Sequence, residues 1–205
     1  MTWLPTSASV NGISYLGDGG TTNYTEIKAN GAIALHGTAR YWIGFEIDAA
    51  NFKEPAVGSA TLVNRGLGIA YDFSDGNEEH IHAEMRITGR WDVTENLEVL
   101  LIWDSPATTK VCDWEIRYLF RALNEDMTYD TTAIAQAYGT SGSNANGLCH
   151  TTVVIPTAAF ASGDKVLAFT VWRDGNDDND TLSNSAFLHR LIVRGVANKL
   201  GGVVT

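Results

Sequence analysis

Residues 113–118, Asp-Trp-Glu-Ile-Arg-Tyr, alternate charged side chains with large apolar ones. Successive side chains of a β-strand point to opposite faces, so Trp114, Ile116 and Tyr118 share one face and the charged residues share the other. A strand with one apolar and one charged face is typical of an antiparallel sheet that covers a core. This stretch therefore predicts a half-buried strand in a layered β protein.

Further β-type runs lie on both sides of this strand, separated by turn residues. The run 99–103, Val-Leu-Leu-Ile-Trp, is continuously apolar, as in a strand that is covered on both faces. In the last run, alternation places Phe187, His189, Leu191 and Val193 on one face. The predicted strands are Tyr41–Ile47, Thr61–Phe73, His80–Ile87, Glu98–Trp103, Asp113–Tyr118, Thr151–Ile155, Val166–Trp172 and Phe187–Val193.

The spacing of these runs predicts the fold class. No apolar pattern keeps helical spacing for more than about two turns, although residues 49–53 and 157–161 could each form a short helical turn. The glycines within residues 61–73 predict a bend or bulge there. About eight strands at a spacing of roughly 10–15 residues are typical of an all-β sandwich. We therefore predict an antiparallel β-sandwich of jelly-roll-like form over residues 38–205.

Residues 1–37 differ from the rest because they are rich in Gly, Ser, Thr and Asn. The dipeptide Asn30-Gly31 separates two short β-type runs, Tyr24–Lys28 and Ile33–His36, and Asn-Gly is the strongest short hairpin signal. We interpret this segment as an extended N-terminal arm that ends in a small hairpin. Its apolar tip must pack on its own domain or on a neighbour; the tip residues are Trp3, Leu4 and Pro5.

Composition excludes several classes of partner. The 205-residue chain is 44% hydrophobic and 19% charged, which indicates a globular protein. Its formal net charge of -10 argues against direct contact with nucleic acid, because a protein that neutralises phosphates needs a basic surface. No apolar run approaches the roughly 18 residues of a membrane span. Residues 1–6 lack the features of a signal peptide, so we expect synthesis and folding in a cytoplasm.

The chain contains two cysteines, Cys112 and Cys149. Two cysteines do not make a disulfide framework of the kind that staples small secreted domains. Either both are free thiols, and free cysteines are commonly buried, or they form one disulfide. The sequence leaves both arrangements open.

Two segments contain residue types that bind metal ions. His80 and His82 flank one residue of a predicted strand, so they share a face with the carboxylates at 78 and 84. Three copies of such a histidine around a threefold axis could also hold a metal. An exposed polar strand face explains the same pattern without a metal.

The second segment, residues 174–185, aligns with a calcium loop that has oxygen ligands at alternate positions. Asn179 stands where that loop needs Gly, and Ser185 stands where it needs Glu, so a solvated turn explains the segment as well. We therefore predict no bound metal or cofactor, and keep both segments as candidates. The candidate ligands of this loop are Asp174, Asn176, Asp178 and Asp180.

The sequence contains no catalytic motif. A nucleophile elbow, a P-loop and a dinucleotide fingerprint are all missing from it, so we predict that the protein is not an enzyme. A carbohydrate-active enzyme is an alternative that would need two carboxylates converging in a cleft. A glycan-binding module is another alternative, and it would expose aromatic side chains such as Tyr129, Tyr138 or Trp91.

Three strand-and-turn stretches resemble a known group of proteins. They are Trp-Glu-Ile-Arg-Tyr at 114–118, Ser-Gly-Asp-Lys-Val-Leu at 162–167, and Asp-Thr-Leu at 180–182 followed by Ala-Phe-Leu at 186–188. In these stretches the chain resembles the small β-sandwich virion structural proteins of tailed bacteriophages. That group includes capsid decoration or cement proteins, head fibres and tail-fibre modules.

The resemblance implies a role in particle architecture, usually as a homotrimer. Its partners would be other copies of the chain and the major capsid protein or another virion protein. Its location would be the virion, assembled in the host cytoplasm, with the arm as the attachment element. A tail or head fibre component that binds a host receptor or glycan is the alternative role.

Charge is unevenly distributed along the chain. Residues 77–104 hold seven acidic and two basic residues, whereas residues 186–205 hold no acid. We therefore expect acidic loops to face outwards, and a basic end to face an acidic partner or a neighbouring subunit. The basic residues of that end are Arg190, Arg194 and Lys199.

Overall fold

The structure is a computed structural model that describes the chain in segments. The described residues are 7–10, 13–17, 22–29, 31–37, 40–66, 68–87, 91–122, 124–125, 133–157, 166–197 and 199–200. Among them no helix has the length and apolarity needed to cross a membrane. They form a 3-10 helix at Ala49–Asn51 and the strands β1 (Ser7–Val10), β2 (Ile13–Gly17), β3 (Tyr24–Ile27), β4 (Ile33–Leu35), β5 (Tyr41–Asp48), β6 (Thr61–Arg65), β7 (Gly68–Phe73), β8 (Glu78–Arg86), β9 (Leu97–Asp104), β10 (Val111–Arg121), β11 (Ile134–Thr140), β12 (Cys149–Ile155), β13 (Val166–Asp174), β14 (Ala186–Ala197) and β15 (Lys199–Leu200).

Strands β5 to β14 form two antiparallel sheets. One has four strands in the order β11-β10-β13-β8. The other has six, in the order β12-β9-β14-β7-β6 with β5 also paired to β14. The long strand β14 pairs with β9 on one side and with β5 and β7 on the other. The inner faces of the sheets share one apolar core, which confirms the predicted antiparallel β-sandwich of jelly-roll-like form.

Aromatic side chains join the two sheets across this core. The ring of Trp103 on β9 meets that of Trp114 on β10 edge-to-face, with centroids 5.8 Å apart. Phe73 on β7 meets Trp114 in the same way at 5.1 Å. Such pairs contribute about 0.5–1.5 kcal/mol beyond the burial of their area. Ile116 and Tyr118 are buried beside Trp114, so the alternation predicted for residues 113–118 is confirmed.

The remaining strands form a small antiparallel sheet in the order β1-β2-β3-β4-β15. β3 and β4 are the hairpin predicted from Asn-Gly, and Gly31 has a φ of +80°, which favours glycine. β15, near the other end of the chain, pairs with β4. The division at residue 37 between arm and sandwich stays a prediction. The predicted tip, Trp3, Leu4 and Pro5, lies outside the described residues.

The predicted core face of β14 is wrong in its first half. A β-bulge lies between Leu188 and Arg190, where the register with β9 shifts. The additional residue reverses the alternation, so Leu188, Leu191 and Val193 are buried while Phe187 is half-buried. Strict alternation of side chains along the sequence does not predict such a bulge.

Two other sequence predictions change in detail. Residues 61–73 form the hairpin β6–β7 rather than one bent strand, and Gly66 in its turn has a φ of +63°. The helical turn predicted at 49–53 is the 3-10 helix. The one predicted at 157–161 lies outside the described residues from 158 onwards.

Both cysteines are free. Burial raises the pKa of the Cys149 thiol to about 11 and also raises the pKa of Cys112, which is fully buried. Because the thiolate is the reactive form, both thiols are poor nucleophiles near neutral pH.

Candidate functional site

The outer face of the four-stranded sheet carries polar and aromatic side chains, and we call it the polar sheet face. These residues alternate along each strand with the core residues, so they point away from the interior. Strand pairing places Glu115 opposite Trp172, and Trp172 opposite His80. The polar sheet face comprises Tyr138 and Gln136 from β11, Asp113, Glu115 and Arg117 from β10, Thr170, Trp172 and Asp174 from β13, and His80 and His82 from β8.

Trp172 lies at the centre of this face and contacts side chains from both neighbouring strands. The guanidinium carbon of Arg117 lies 3.7 Å from the centroid of a Trp172 ring, a cation–π contact. The imidazole of His80 stacks on Trp172 with centroids 4.4 Å apart and planes inclined by 3°. These contacts fix the orientation of the half-buried indole. Its Nε1 is buried and has no hydrogen-bond partner among the described residues.

His80 and His82 share this face, as their spacing predicts. Nδ1 of His82 lies 2.9 Å from Oγ1 of Thr170, and the two imidazoles meet edge-to-face at 5.3 Å. Burial lowers the pKa of both histidines, and for His80 the neighbouring His82 and Arg117 lower it further. Both rings are therefore neutral at pH 7. Neither histidine belongs to the ligand cluster described next. That they bind a metal stays an untested hypothesis.

Three carboxylates meet on the polar sheet face, and we call them the acidic cluster. Asp113, Glu115 and Asp174 each offer an oxygen atom, and these atoms lie within 4.8 Å of one another. Within the described part of the chain, this is the one group of three His, Cys, Asp or Glu residues close enough to share an ion. Alternation along β10 makes Asp113 and Glu115 neighbours, but only the register between β10 and β13 adds Asp174.

Asp113 is the unusual member of the acidic cluster because its exposed fraction is 0%. Gln136 donates a hydrogen bond of 2.6 Å to its Oδ2. Burial raises the pKa of Asp113 to about 6 against the effect of that hydrogen bond, and the nearby charges of Asp177, Glu115 and Asp174 raise it further. A carboxyl with this pKa changes its protonation state close to neutral pH.

The four ligands predicted for the 174–185 loop do not converge. Asp180 turns inwards and is fully buried, and it accepts hydrogen bonds from Nε of Arg173 at 3.0 Å and from Nη2 at 3.1 Å. Asp174, at the end of β13, belongs to the acidic cluster instead. The predicted calcium-loop arrangement of Asp174, Asn176, Asp178 and Asp180 is therefore not formed, because a buried arginine holds the last of them in the core.

The outer face of the six-stranded sheet has a different character, and we call it the apolar sheet face. Trp42 is 52% exposed there, and Leu148 is 67% exposed. A surface hollow of about 510 Å³ is lined by Ile102, Leu148, His189, Arg190 and Ile192. The apolar residues of this face are Trp42, Leu100, Ile102, Leu148, Val154 and Ile192.

Both predicted partner-binding arginines lie on the apolar sheet face. Arg190 pairs with Glu46, and Arg194 pairs with Glu98 at 2.7 Å. The guanidinium of Arg194 also lies 4.9 Å from the ring of Trp42. Their positive charge is thus compensated within the sheet. Lys199 lies in β15, and contact of these residues with a partner stays a prediction.

The aromatic residues predicted to be exposed have different outcomes. Tyr138 is 49% exposed on the polar sheet face, and its hydroxyl accepts a 3.4 Å hydrogen bond from Asn179. For Trp91 the prediction is wrong, because its ring is buried against Phe45. Tyr129 lies outside the described residues.

Asp113 of the acidic cluster does not meet the requirements of a glycosidase carboxylate. A glycosidase pair needs carboxyl groups about 5–5.5 Å apart for retention or about 6.5–9.5 Å apart for inversion, and both must reach the sugar. Asp113 has no exposed surface, so it cannot contact a glycosidic oxygen. The absence of enzymatic activity stays a prediction.

Comparison with known proteins gives no family. No protein-family model matches the chain, and no curated protein matches it. Among solved structures, it is similar to an exo-beta-1,3-galactanase from Phanerochaete chrysosporium with 12% identity and a TM-score of 0.46, over 88% of this chain and 36% of that one. The chain thus spans about a third of the length of the galactanase.

Two further similar structures represent different kinds of protein. One is TmCBM27, a carbohydrate-binding module described for specific mannan recognition, with 12% identity and a TM-score of 0.39 over 76% of this chain and 98% of that one. The other is from infectious bursal disease virus strain Gx, with 11% identity and a TM-score of 0.36 over 97% of this chain and 53% of that one. Carbohydrate-binding and viral structures thus both occur among the similar β-sandwiches, and no conclusion on function rests on likenesses this distant.

Proposed function

We propose that the protein is a virion structural protein of a tailed bacteriophage that decorates the particle as a homo-oligomer. In this proposal the apolar sheet face contacts a neighbouring copy of the chain, and the polar sheet face is turned towards solvent. The observation that carries it is the difference between the two outer faces of one sandwich. The sequence resemblance to phage decoration proteins supports the same role.

The apolar sheet face has the composition of a protein contact. Burial of apolar surface contributes about 25 cal/mol per Å², and Trp42, Leu148 and Val154 each keep close to half of their surface or more exposed. Aromatic and arginine side chains are enriched at the centres of protein interfaces. Because Arg190 and Arg194 are already ion-paired, the face can be covered without leaving an unpaired cation.

The partners and location follow from this proposal. A homotrimer whose copies meet through the apolar sheet faces would attach to the major capsid protein or another virion protein. The arm at residues 1–37 and Lys199 would make that attachment, and assembly would take place in the host cytoplasm. Deletion of residues 1–30 should then abolish co-sedimentation with particles, and undiminished co-sedimentation would contradict the role of the arm.

Mass measurement in solution tests the oligomer. Light scattering on the purified chain should give a multiple of 22.2 kDa. The double variant Leu148→Lys/Val154→Lys should shift the mass towards one chain, because it places two charges on the contact face. Val57→Lys is the matched control, since Val57 is 82% exposed and outside that face. A wild-type mass of a single chain at every concentration would exclude the homo-oligomer.

Glycan binding by the polar sheet face is the second candidate function. The observation that favours it is the exposed ring of Tyr138 beside hydrogen-bonding side chains such as Gln136 and Glu115. An aromatic ring can stack on a sugar while neighbouring polar groups bind its hydroxyls. Tyr138→Ala should abolish the signal on a glycan array while leaving the oligomer mass unchanged. A wild-type chain without signal on the array would exclude this function.

A further inference from the structure

The acidic cluster brings three carboxylates close together, and nearby positive charges compensate their negative charge only in part. One oxygen atom from each of Asp113, Glu115 and Asp174 lies within 4.8 Å of the others. At this separation like charges repel one another strongly where bulk water does not screen them. Arg117 pairs with Glu115 at 3.2 Å and so compensates one of the three charges. Asp177 adds negative charge to the surroundings of Asp113. The cluster therefore favours an additional cation.

A second observation points to the same place. Asp113 is fully buried, and its Oδ1 has no hydrogen-bond partner among the described residues. Buried polar atoms in native proteins are nearly always bonded to a protein group, a water molecule or an ion. Gln136 occupies the other oxygen, Oδ2, and fixes the carboxylate in place. Asp113 thus belongs to a cluster of like charges and has one oxygen held by Gln136 and one buried oxygen without a partner among the described residues.

The other two carboxylates are also held through one oxygen each. Glu115 accepts its hydrogen bonds from Arg117 at Oε2. Asp174 accepts one from the backbone N–H of Asn176 at Oδ1. In both residues this arrangement fixes the side chain and leaves a second carboxylate oxygen for a ligand.

We propose that Asp113, Glu115 and Asp174 bind one Ca²⁺ ion on the polar sheet face. Ca²⁺ takes six to eight oxygen ligands in flexible geometry, so three carboxylates can be completed by water and backbone carbonyl groups. The cluster contains no imidazole or thiolate, the ligands that would favour zinc or copper. Binding of the cation at this position does not require that the sheet face bind a glycan.

Titration with Ca²⁺ alone tests the site. The full-length chain is first treated with a chelator, and CaCl₂ is then added in a calorimeter. We expect one ion per chain and a rise in Tm with Ca²⁺ concentration, because a ligand that binds only the folded chain stabilises it. No heat and no change in Tm up to about 10 mM, beyond the weak end of the range for extracellular calcium modules, would overturn the proposal.

Three variants locate the ion. Asp113→Asn and Asp174→Asn keep the side-chain shape but remove a charge, and each should weaken Ca²⁺ binding at least about tenfold. Asp178→Asn removes one charge from the 174–185 loop at a position outside the acidic cluster, and this variant should bind Ca²⁺ as the wild type does. The Tm in chelator reports whether each variant folds. Undiminished binding by the two cluster variants, or equal loss in Asp178→Asn, would contradict the proposed ligands.

Gln136→Ala tests the positioning of Asp113. Removal of an outer-shell hydrogen bond commonly costs about 10- to 100-fold in metal affinity, so we expect a loss of that order with an unchanged number of ions per chain. Unaltered affinity in this variant would show that the orientation of Asp113 does not matter, and would count against it as a ligand.

Discussion

Arg173 and Asp180 form a buried ion pair at one end of the sandwich. Both side chains have no exposed surface, and Arg173 also donates to the carbonyl groups of Phe73 at 3.0 Å and Asn184 at 2.9 Å. The guanidinium therefore connects the end of β7 with the loop between β13 and β14. A buried charge is tolerated when its partner and hydrogen bonds are complete, and here they are.

Removal of the arginine should destabilise the fold strongly. Arg173→Met leaves Asp180 buried without its partner, and breaking a buried pair in this way costs about 3–5 kcal/mol. The free energy of unfolding in urea measures the loss. Arg86→Met, at an exposed position on β8, should change it by about 0.5 kcal/mol or less. A loss of under about 1 kcal/mol in Arg173→Met would contradict the structural role of the pair.

His80 and His82 should make the fold sensitive to acid. Their pKa values are lowered in the fold, so below about pH 6.5 the unfolded chain binds protons that the folded chain does not. The contribution of these histidines to stability is present above that pH and is lost as pH falls through their lowered pKa values. His80→Asn/His82→Asn should flatten the decline, measured as urea midpoints between about pH 5 and 8.

The effect of the histidines on stability must be distinguished from the effects of the charged groups around them. Asp113 acts in the opposite direction, because its pKa is raised to about 6 and its burial destabilises the fold increasingly as pH rises from about 4 to 6. Asp113→Asn therefore serves as the control that removes the opposing effect. An acid decline unchanged by the histidine variants would exclude them as its source.

At the scale of elements, β11 of one sheet lies very close to β12 of the other. A Cβ placed on Gly139 of β11 would overlap Oγ1 of Thr151 on β12. That same oxygen accepts a 2.9 Å hydrogen bond from Nε1 of Trp103. Glycine at 139 thus allows the four-stranded sheet to pack against Thr151 of the six-stranded sheet. Thr151 in turn accepts the hydrogen bond of the fully buried indole of Trp103.

Gly139→Ala should force these two strands apart. We expect a loss of about 1–3 kcal/mol in the free energy of unfolding, the usual cost of overpacking a well-filled core. Gly44→Ala is the matched control in β5, because its Cβ would meet Ile192 at 3.4 Å, an ordinary contact. Equal stability of the two variants would show that the approach of β11 to β12 is not tight in solution.

At the scale of the whole molecule, the sandwich separates two surfaces of different chemistry. The polar sheet face bears the acidic cluster and Tyr138, and the apolar sheet face bears Trp42 and the ion-paired arginines. The apolar core lies between them. The two faces could therefore bind different partners without competing for the same surface.

The two surfaces should respond to mutation independently. Leu148→Lys/Val154→Lys should lower the oligomer mass and leave the affinity for Ca²⁺ unchanged. Asp113→Asn should weaken Ca²⁺ binding and leave the oligomer mass unchanged. Effects at distant sites without shared partners usually add within about 0.3–0.5 kcal/mol. Light scattering and calorimetry on the same preparations measure both quantities. A loss of Ca²⁺ binding in the charged double variant would show that the two faces are coupled.

The sequence by itself determined the fold class and many core positions. Alternation of period two and Asn-Gly turn chemistry are local properties, so they predicted the half-buried strand at Trp114, the Gly31 hairpin and the shared face of His80 and His82. Sequence also identified Asp174 as a candidate ligand, but assigned it the wrong neighbours. The loop pattern gave no sign that Asp180 is buried.

Tertiary structure alone decided which distant residues meet. The register between β10 and β13 brings Asp174 to Asp113, and the buried guanidinium of Arg173 withdraws Asp180 from solvent. The bulge in β14 likewise depends on pairing with β9, and it reverses a face that alternation alone assigns wrongly. Strand order and register arise from the packing of the whole core, so no single segment encodes them. For that reason the acidic cluster and the two unlike faces became visible only in the folded chain.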